Sequence, residues 1–198
     1  MKKIFAVLLM LTLCIVAIQC KKGEDDPLIS LRSRKARVCG DWSLTSGTMS
    51  QSSRYGNIVS STNMIMTQYA YSGTNTYVNG SFSQTTPYTG TYKYSITFDK
   101  DGSFSATEVY DGEVQITSGT WNFTDGVGDA KKREQIVLFF KSSTGISGST
   151  TLSYSGNKVY MTFNIKELRN KKMVLTRTET ETSGVDSYDI KWEATLEQ

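Results

Sequence analysis

Three stretches of this 198-residue chain alternate apolar and polar side chains with a period of two, which restricts the fold more than any other feature. Tyr92, Tyr94, Ile96 and Phe98 alternate with Thr91, Lys93, Ser95 and Thr97. Val159, Met161, Phe163 and Ile165 alternate with Tyr160, Thr162, Asn164 and Lys166. Tyr188, Ile190, Trp192, Ala194 and Leu196 alternate with Asp189, Lys191, Glu193, Thr195 and Glu197. Successive side chains of a strand point to opposite faces, so each run has one apolar and one wet face. That is the signature of an antiparallel sheet covering a core from one side. Gln135–Phe140 is almost wholly apolar at its end and predicts a more deeply buried strand.

Turn signals separate the runs: Asp99-Lys100-Asp101-Gly102, Asp111-Gly112, Asp125-Gly126, Ser155-Gly156-Asn157 and Arg169-Asn170-Lys171. Repeated strand, turn and strand predicts a meander of neighbouring hairpins. The expected fold is all-β with about eight strands, either a closed up-and-down barrel or a sandwich. After Cys39 no stretch has the pattern of a helix of ordinary length. Before it, Asp26 as N-cap and Pro27 at the first helical position predict a short helix over Pro27–Cys39. That helix would place Leu28, Leu31, Val38 and Cys39 on one side and Arg34 and Arg37 on the other. Arg32, Arg34, Lys35 and Arg37 would form a solvated face or touch anionic lipid headgroups.

The N-terminus carries an address. Lys2 and Lys3 precede an uncharged, mostly apolar run from Ile4 to Ile18, short of the roughly 20 residues a spanning helix needs. The run ends in Val16-Ala17-Ile18-Gln19-Cys20, which resembles the signal of bacterial lipoproteins. The resemblance implies a signal peptide over residues 1–19, lipidation of Cys20, and a tether with the short helix over residues 20–39. It also implies a membrane partner through the lipid anchor and an outer-membrane place in the cell envelope. The acidic Glu24-Asp25-Asp26 close behind Cys20 is similar to the export tag of surface lipoproteins in some Gram-negative bacteria, and implies surface exposure. With Cys14 in the leader and Cys20 lipidated, Cys39 is left alone and cannot form an internal disulfide.

Gly40-Asp41-Trp42 opens the first strand and resembles the lipocalin signature, whose Trp packs across the closed end of the barrel. Ser33 to Trp42, the hairpin Ile96–Phe104 and Ser118-Gly119-Thr120-Trp121 are together similar to lipocalin-like domains of Gram-negative lipoproteins. This implies a barrel over residues 40–198, closed at one end by Gly40 and Trp42. In such a barrel the inward aromatics Tyr92, Tyr94, Phe98, Trp121, Phe163 and Trp192 are the candidate ligand-facing residues.

Catalytic patterns are sparse. The chain has no His, which removes His-based triads, His-ligated zinc and imidazole shuttles. Glu108, Glu113, Glu134, Glu167, Glu179 and Glu181 have no spacing that forces an acid-base pair together, and Arg177–Thr182 reads as a solvated or cross-strand-paired face. Asp99–Gly102 lacks the later ligands of a calcium loop and reads as a hairpin turn. Cys39 has no His base and reads as a structural thiol. A formal charge of +3 gives no basic tract for nucleic acid. Neither catalytic residues, metal site nor cofactor is expected. Tyr55–Tyr92 holds six Tyr among Ser, Thr and Asn and no charge before Tyr92. Such residues suit an amphipathic ligand, or form polar strands and loops at the mouth whose Ser and Thr face water. Two functions follow as expectations. One is capture of a small hydrophobic or amphipathic ligand. The other is a filled barrel that meets a protein or glycan through a face rich in Tyr, Ser and Thr.

Overall fold

The computed structural model describes residues 32–124, 134–147 and 150–198, with side chains described throughout these except at 146–159. The signal peptide and Cys20 lie outside the described residues, as do Asp26 and Pro27. A short helix, α1 (Arg34–Val38), leads into ten strands. These are β1 (Gly40–Tyr55), β2 (Ile58–Thr67), β3 (Ala70–Asn79), β4 (Phe82–Phe98) and β5 (Ser103–Tyr110), then β6 (Glu113–Phe123), β7 (Gln135–Ser147), β8 (Thr150–Leu168), β9 (Lys172–Ser183) and β10 (Asp186–Glu197). Neighbours in sequence pair antiparallel, and β10 returns to β1 to close the barrel.

The barrel has ten strands, not about eight. The β2–β3 hairpin lies in the Ser/Thr/Asn-rich stretch, where Met64-Ile65-Met66 is the one short apolar run. It does not run the full height. At the end that starts with Gly40, β1 pairs directly with β4, from Gly40 opposite Phe98 to Ser43 opposite Ser95. There β2 and β3 are absent from the ring, which leaves eight strands around the floor. Farther up the hairpin wedges between β1 and β4 and brings the ring to ten. Barrel diameter grows with strand number, so the wall widens away from the floor.

The upper wall is not sealed all round. β9 pairs with β8 only from Met173 to Thr176, and β4 pairs with β5 only from Tyr92 to Phe98. Among the described residues, the upper halves of β9 and β4 therefore have free edges. Pro87 sits in that free half of β4, where its missing N–H costs no ladder bond.

The floor holds the driest core. Trp42, Phe98, Leu44, Ile136, Leu168, Met173 and Leu196 are almost fully buried. Helix α1 lies under them, capped by Ser33, whose hydroxyl accepts from the Ala36 N–H at 3.1 Å. Within the described residues the helix spans Arg34–Val38, and the Asp26–Pro27 start lies outside them. Its arginines differ from expectation. Arg34 and Arg37 are buried, and Arg37 donates to the Leu168 carbonyl at the end of β8. They brace the floor instead of facing water or headgroups; Arg32 and Lys35 remain exposed.

Ser155-Gly156-Asn157 also corrects an expectation: it is not a hairpin turn but part of β8. Phe140 pairs with Val159 and Ser142 with Ser155, so β8 carries two extra residues across this step. Turn-forming residues here supply a bulge within a long strand. Asp99–Gly102 is a turn as expected. Gly102 N–H bonds the Asp99 carbonyl at 3.2 Å, and Ser103 N–H bonds the Asp101 carboxylate at 2.8 Å.

Candidate functional site

One rung of the barrel builds an interior space. Cross-strand partners share a face, and the register links Arg177 to Trp192, Trp192 to Met49, Met49 to Met64, Met64 to Gly73, and Gly73 to Tyr88. These six positions, on β9, β10, β1, β2, β3 and β4, all line a cavity of about 800 Å³. Gly73 contributes no side chain, and the unbranched methionines fill their share loosely. The volume falls inside the roughly 300–1,000 Å³ range of small-molecule sites.

A second cavity of about 380 Å³ lies against β4 to β8 and is lined by Tyr94, Phe104, Glu108, Leu138, Phe140 and Phe163, among others. Two side-chain contacts join the walls of the two spaces. Phe163 meets Trp192 with ring centroids 5.3 Å apart, and Arg177 Nη1 lies 3.4 Å from Met161 Sδ.

Beside the Ser, Thr and Asn of the linings, the larger cavity carries the charged Arg177, Lys191 and Glu193, and the smaller one Glu108. In the larger cavity Arg177 Nη2 donates to Glu179 at 2.5 Å, while its buried Nε has no hydrogen-bond partner. In the smaller one Tyr92 donates its hydroxyl to Glu108 Oε1 at 2.8 Å. Burial first, and then the Glu108 carboxylate, push the hydroxyls of Tyr92 and Tyr94 above the ordinary tyrosine range. Both phenols therefore stay neutral, and the Tyr92 hydroxyl remains a donor to Glu108.

A clamp ties the β5–β6 hairpin tip to the β3–β4 wall. Asp111, in the left-handed region at φ 49°, accepts from Tyr71 Oη at 2.6 Å and from the Thr91 N–H at 2.8 Å. The Tyr71 hydroxyl, followed by the Thr91 bonds, lowers the Asp111 carboxyl below 3.8; the Asp111 bond raises the Tyr71 hydroxyl above 10.0. The depressed acid contributes stability above its unfolded value, lost as pH falls through the folded one. The raised phenol contributes below its unfolded value, lost as pH rises toward the folded one. The stability difference between wild type and Asp111→Asn is therefore expected to be flat between about pH 4 and 10 and to shrink on both sides. Thermal unfolding across pH measures this; a difference that peaks below pH 3 would contradict the clamp.

The expected ligand-facing aromatics divide into three groups. Tyr94, Phe163 and Trp192 line the cavities. Tyr92 is buried in the wall and spends its hydroxyl on Glu108. Phe98 and Trp121 belong to the floor, packed edge to face at 5.4 Å with the Trp121 indole bonded to the Asp99 carbonyl. Gly40 and Trp42 also lie at the floor, Gly40 at φ 138° beside Gln198 and Trp42 donating Nε1 to the Val38 carbonyl at 2.7 Å. Tyr88, from the Tyr-rich stretch Tyr55–Tyr92, lines the larger cavity, whereas Met49, Met64, Glu108 and Arg177 carried no sequence signal of a site. In the segment read as a solvated or cross-strand-paired face, Thr178–Ser183 are exposed, while Arg177 is half-buried and continues the inward parity of Met173 and Leu175.

Among the described residues no group of three His, Cys, Asp or Glu is placed to hold a metal ion. The buried Glu167 is taken up by Arg169 and by Lys172 at 2.7 Å, a structural pairing at the floor. Burial raises the Cys39 thiol, which keeps it protonated and poorly nucleophilic. The fold and its interior define an all-β, ten-stranded antiparallel barrel with internal space on a mixed aromatic and thioether rung. No family model matches the chain, and no curated protein matches it.

Proposed function

We propose that this chain is a lipid-anchored lipoprotein of the bacterial envelope whose lipocalin-like barrel captures a small hydrophobic or amphipathic ligand, without catalysing a reaction. The supporting observation is the cavity of about 800 Å³ on the Trp192 rung, lined by Met49, Met64 and Tyr88. Soft, unbranched side chains accept varied alkyl or ring shapes, and the aromatics add stacking faces. The leader sequence ending at Cys20 supports the anchor. A barrel held at the outer membrane by its lipid would meet amphipaths at their source.

Native mass spectrometry of the membrane-extracted protein tests both parts. The expected spectrum carries acyl mass on Cys20 and a separable, non-covalent adduct of a few hundred daltons. Cys20→Ala should move the domain to the soluble envelope fraction. An unmodified Cys20 would overturn the anchor, and a barrel that never retains or accepts an amphipath would overturn capture. Exposed Tyr55, Tyr77 and Phe82 near the hairpin tips favour a second reading, contact with a protein or glycan. That reading gains if the purified barrel stays empty.

A further inference from the structure

We propose that the ligand of the larger cavity carries a single carboxylate head and that Arg177 binds it, an inference that rests on the capture function proposed above. Arg177 stands in an apolar rung, beside Trp192 on β10 and against Met161 from β8. Its guanidinium is only partly satisfied. Glu179 takes Nη2 at 2.5 Å, Nη1 faces the weak acceptor Met161 Sδ, and Nε is buried with no partner. A guanidinium presents donors in a planar fork that fits a carboxylate, so an incoming carboxylate would satisfy the unmet donor.

The surrounding charges select the head group. Glu179 already engages one side of Arg177, and stripping water from a doubly charged phosphate in this part-apolar space costs more than stripping it from a singly charged carboxylate, so the monoanion is favoured. Glu108, in the smaller cavity, disfavours an acidic head at that end. The tail then lies along Trp192, Met49 and Met64.

Laurate, dodecanol and dodecyl phosphate share one tail and differ only at the head. Titrated into the purified full chain by calorimetry, laurate should bind about 10- to 100-fold more tightly than dodecanol, and also more tightly than dodecyl phosphate. Arg177→Gln should remove the laurate preference over dodecanol. Arg177→Lys keeps the charge without the fork and should recover part of the preference. Equal binding of laurate and dodecanol by the wild type would overturn the carboxylate head while leaving capture standing. Tighter binding of dodecyl phosphate would overturn the choice of a monoanion, and an unchanged laurate affinity in Arg177→Gln would overturn the residue. If no probe binds at all, capture itself fails and this inference with it. The wild-type comparison decides the head group even if Arg177→Gln folds poorly.

Discussion

Replacing Trp42 by Ala should destabilise the barrel by about 3–5 kcal/mol, the usual cost of deleting a large buried aromatic. Trp42 is 1% exposed at the narrow end, where β1 pairs directly with β4. Its loss would leave a void among Phe98, Leu44 and Leu196 that the eight-stranded ring cannot readily collapse around. It would also remove the indole bond to the Val38 carbonyl that helps hold α1 under the floor. Urea unfolding followed by circular dichroism measures the effect. A loss below about 1 kcal/mol would mean that the floor is not a close-packed unit.

The second large effect is expected at Gly119 in β6. A β-carbon built there would lie 2.0 Å from the Phe139 carbonyl oxygen and 2.8 Å from the Phe104 ring. The first of these is backbone of the paired strand, at the point where the β6–β7 register shifts between Ser118 and Gly119. No rotamer change relieves that contact, so the ladder itself must move. Gly119→Ala should cost about 1–3 kcal/mol, against a change within about 0.5 kcal/mol for the exposed outer position Ser105→Ala. Equal unfolding midpoints for the two variants would show that β6 and β7 do not approach as closely as the bulge requires.

The parts of the fold that were readable in the sequence are those where burial is one-sided. β4, β8 and β10 each carry a long alternating run, because one face of each meets the core and the other meets water. Gly40 and Trp42 could be placed at the start of a first strand because that strand follows a short helix. The β2–β3 hairpin carries only the short apolar run Met64-Ile65-Met66 and no long alternation. In the widened upper barrel the inward face of these strands is mostly only half buried, so Ser, Thr and Asn serve on either side and the apolar contrast between faces is weak. The Gly-containing segment in β8 looked like a turn because the same residues suit a bulge.

The candidate site was legible only in part, for a related reason. Trp192, Tyr94 and Phe163 are aromatic and inward, and both properties can be read from alternation. Phe98 and Trp121 share those properties but stand lower, and height within a barrel depends on register, which pairing alone supplies. Arg177 sits in a segment of alternating Thr and charge that resembles a wet outer face. Its inward placement follows from its pairing with Trp192, and its burial follows from Met161 across the β8–β9 join.

The claim that space on the Trp192 rung holds the ligand can be tested with the protein's own fluorophores. The chain has three Trp residues; Trp42 and Trp121 lie in the floor, and Trp192 lines the larger cavity. Titration with a dodecyl alcohol brominated on its chain should quench wild-type tryptophan emission, and Trp192→Phe should abolish most of that quenching. Quenching that persists in Trp192→Phe and disappears in Trp121→Phe or Trp42→Phe would place the ligand elsewhere and contradict the account.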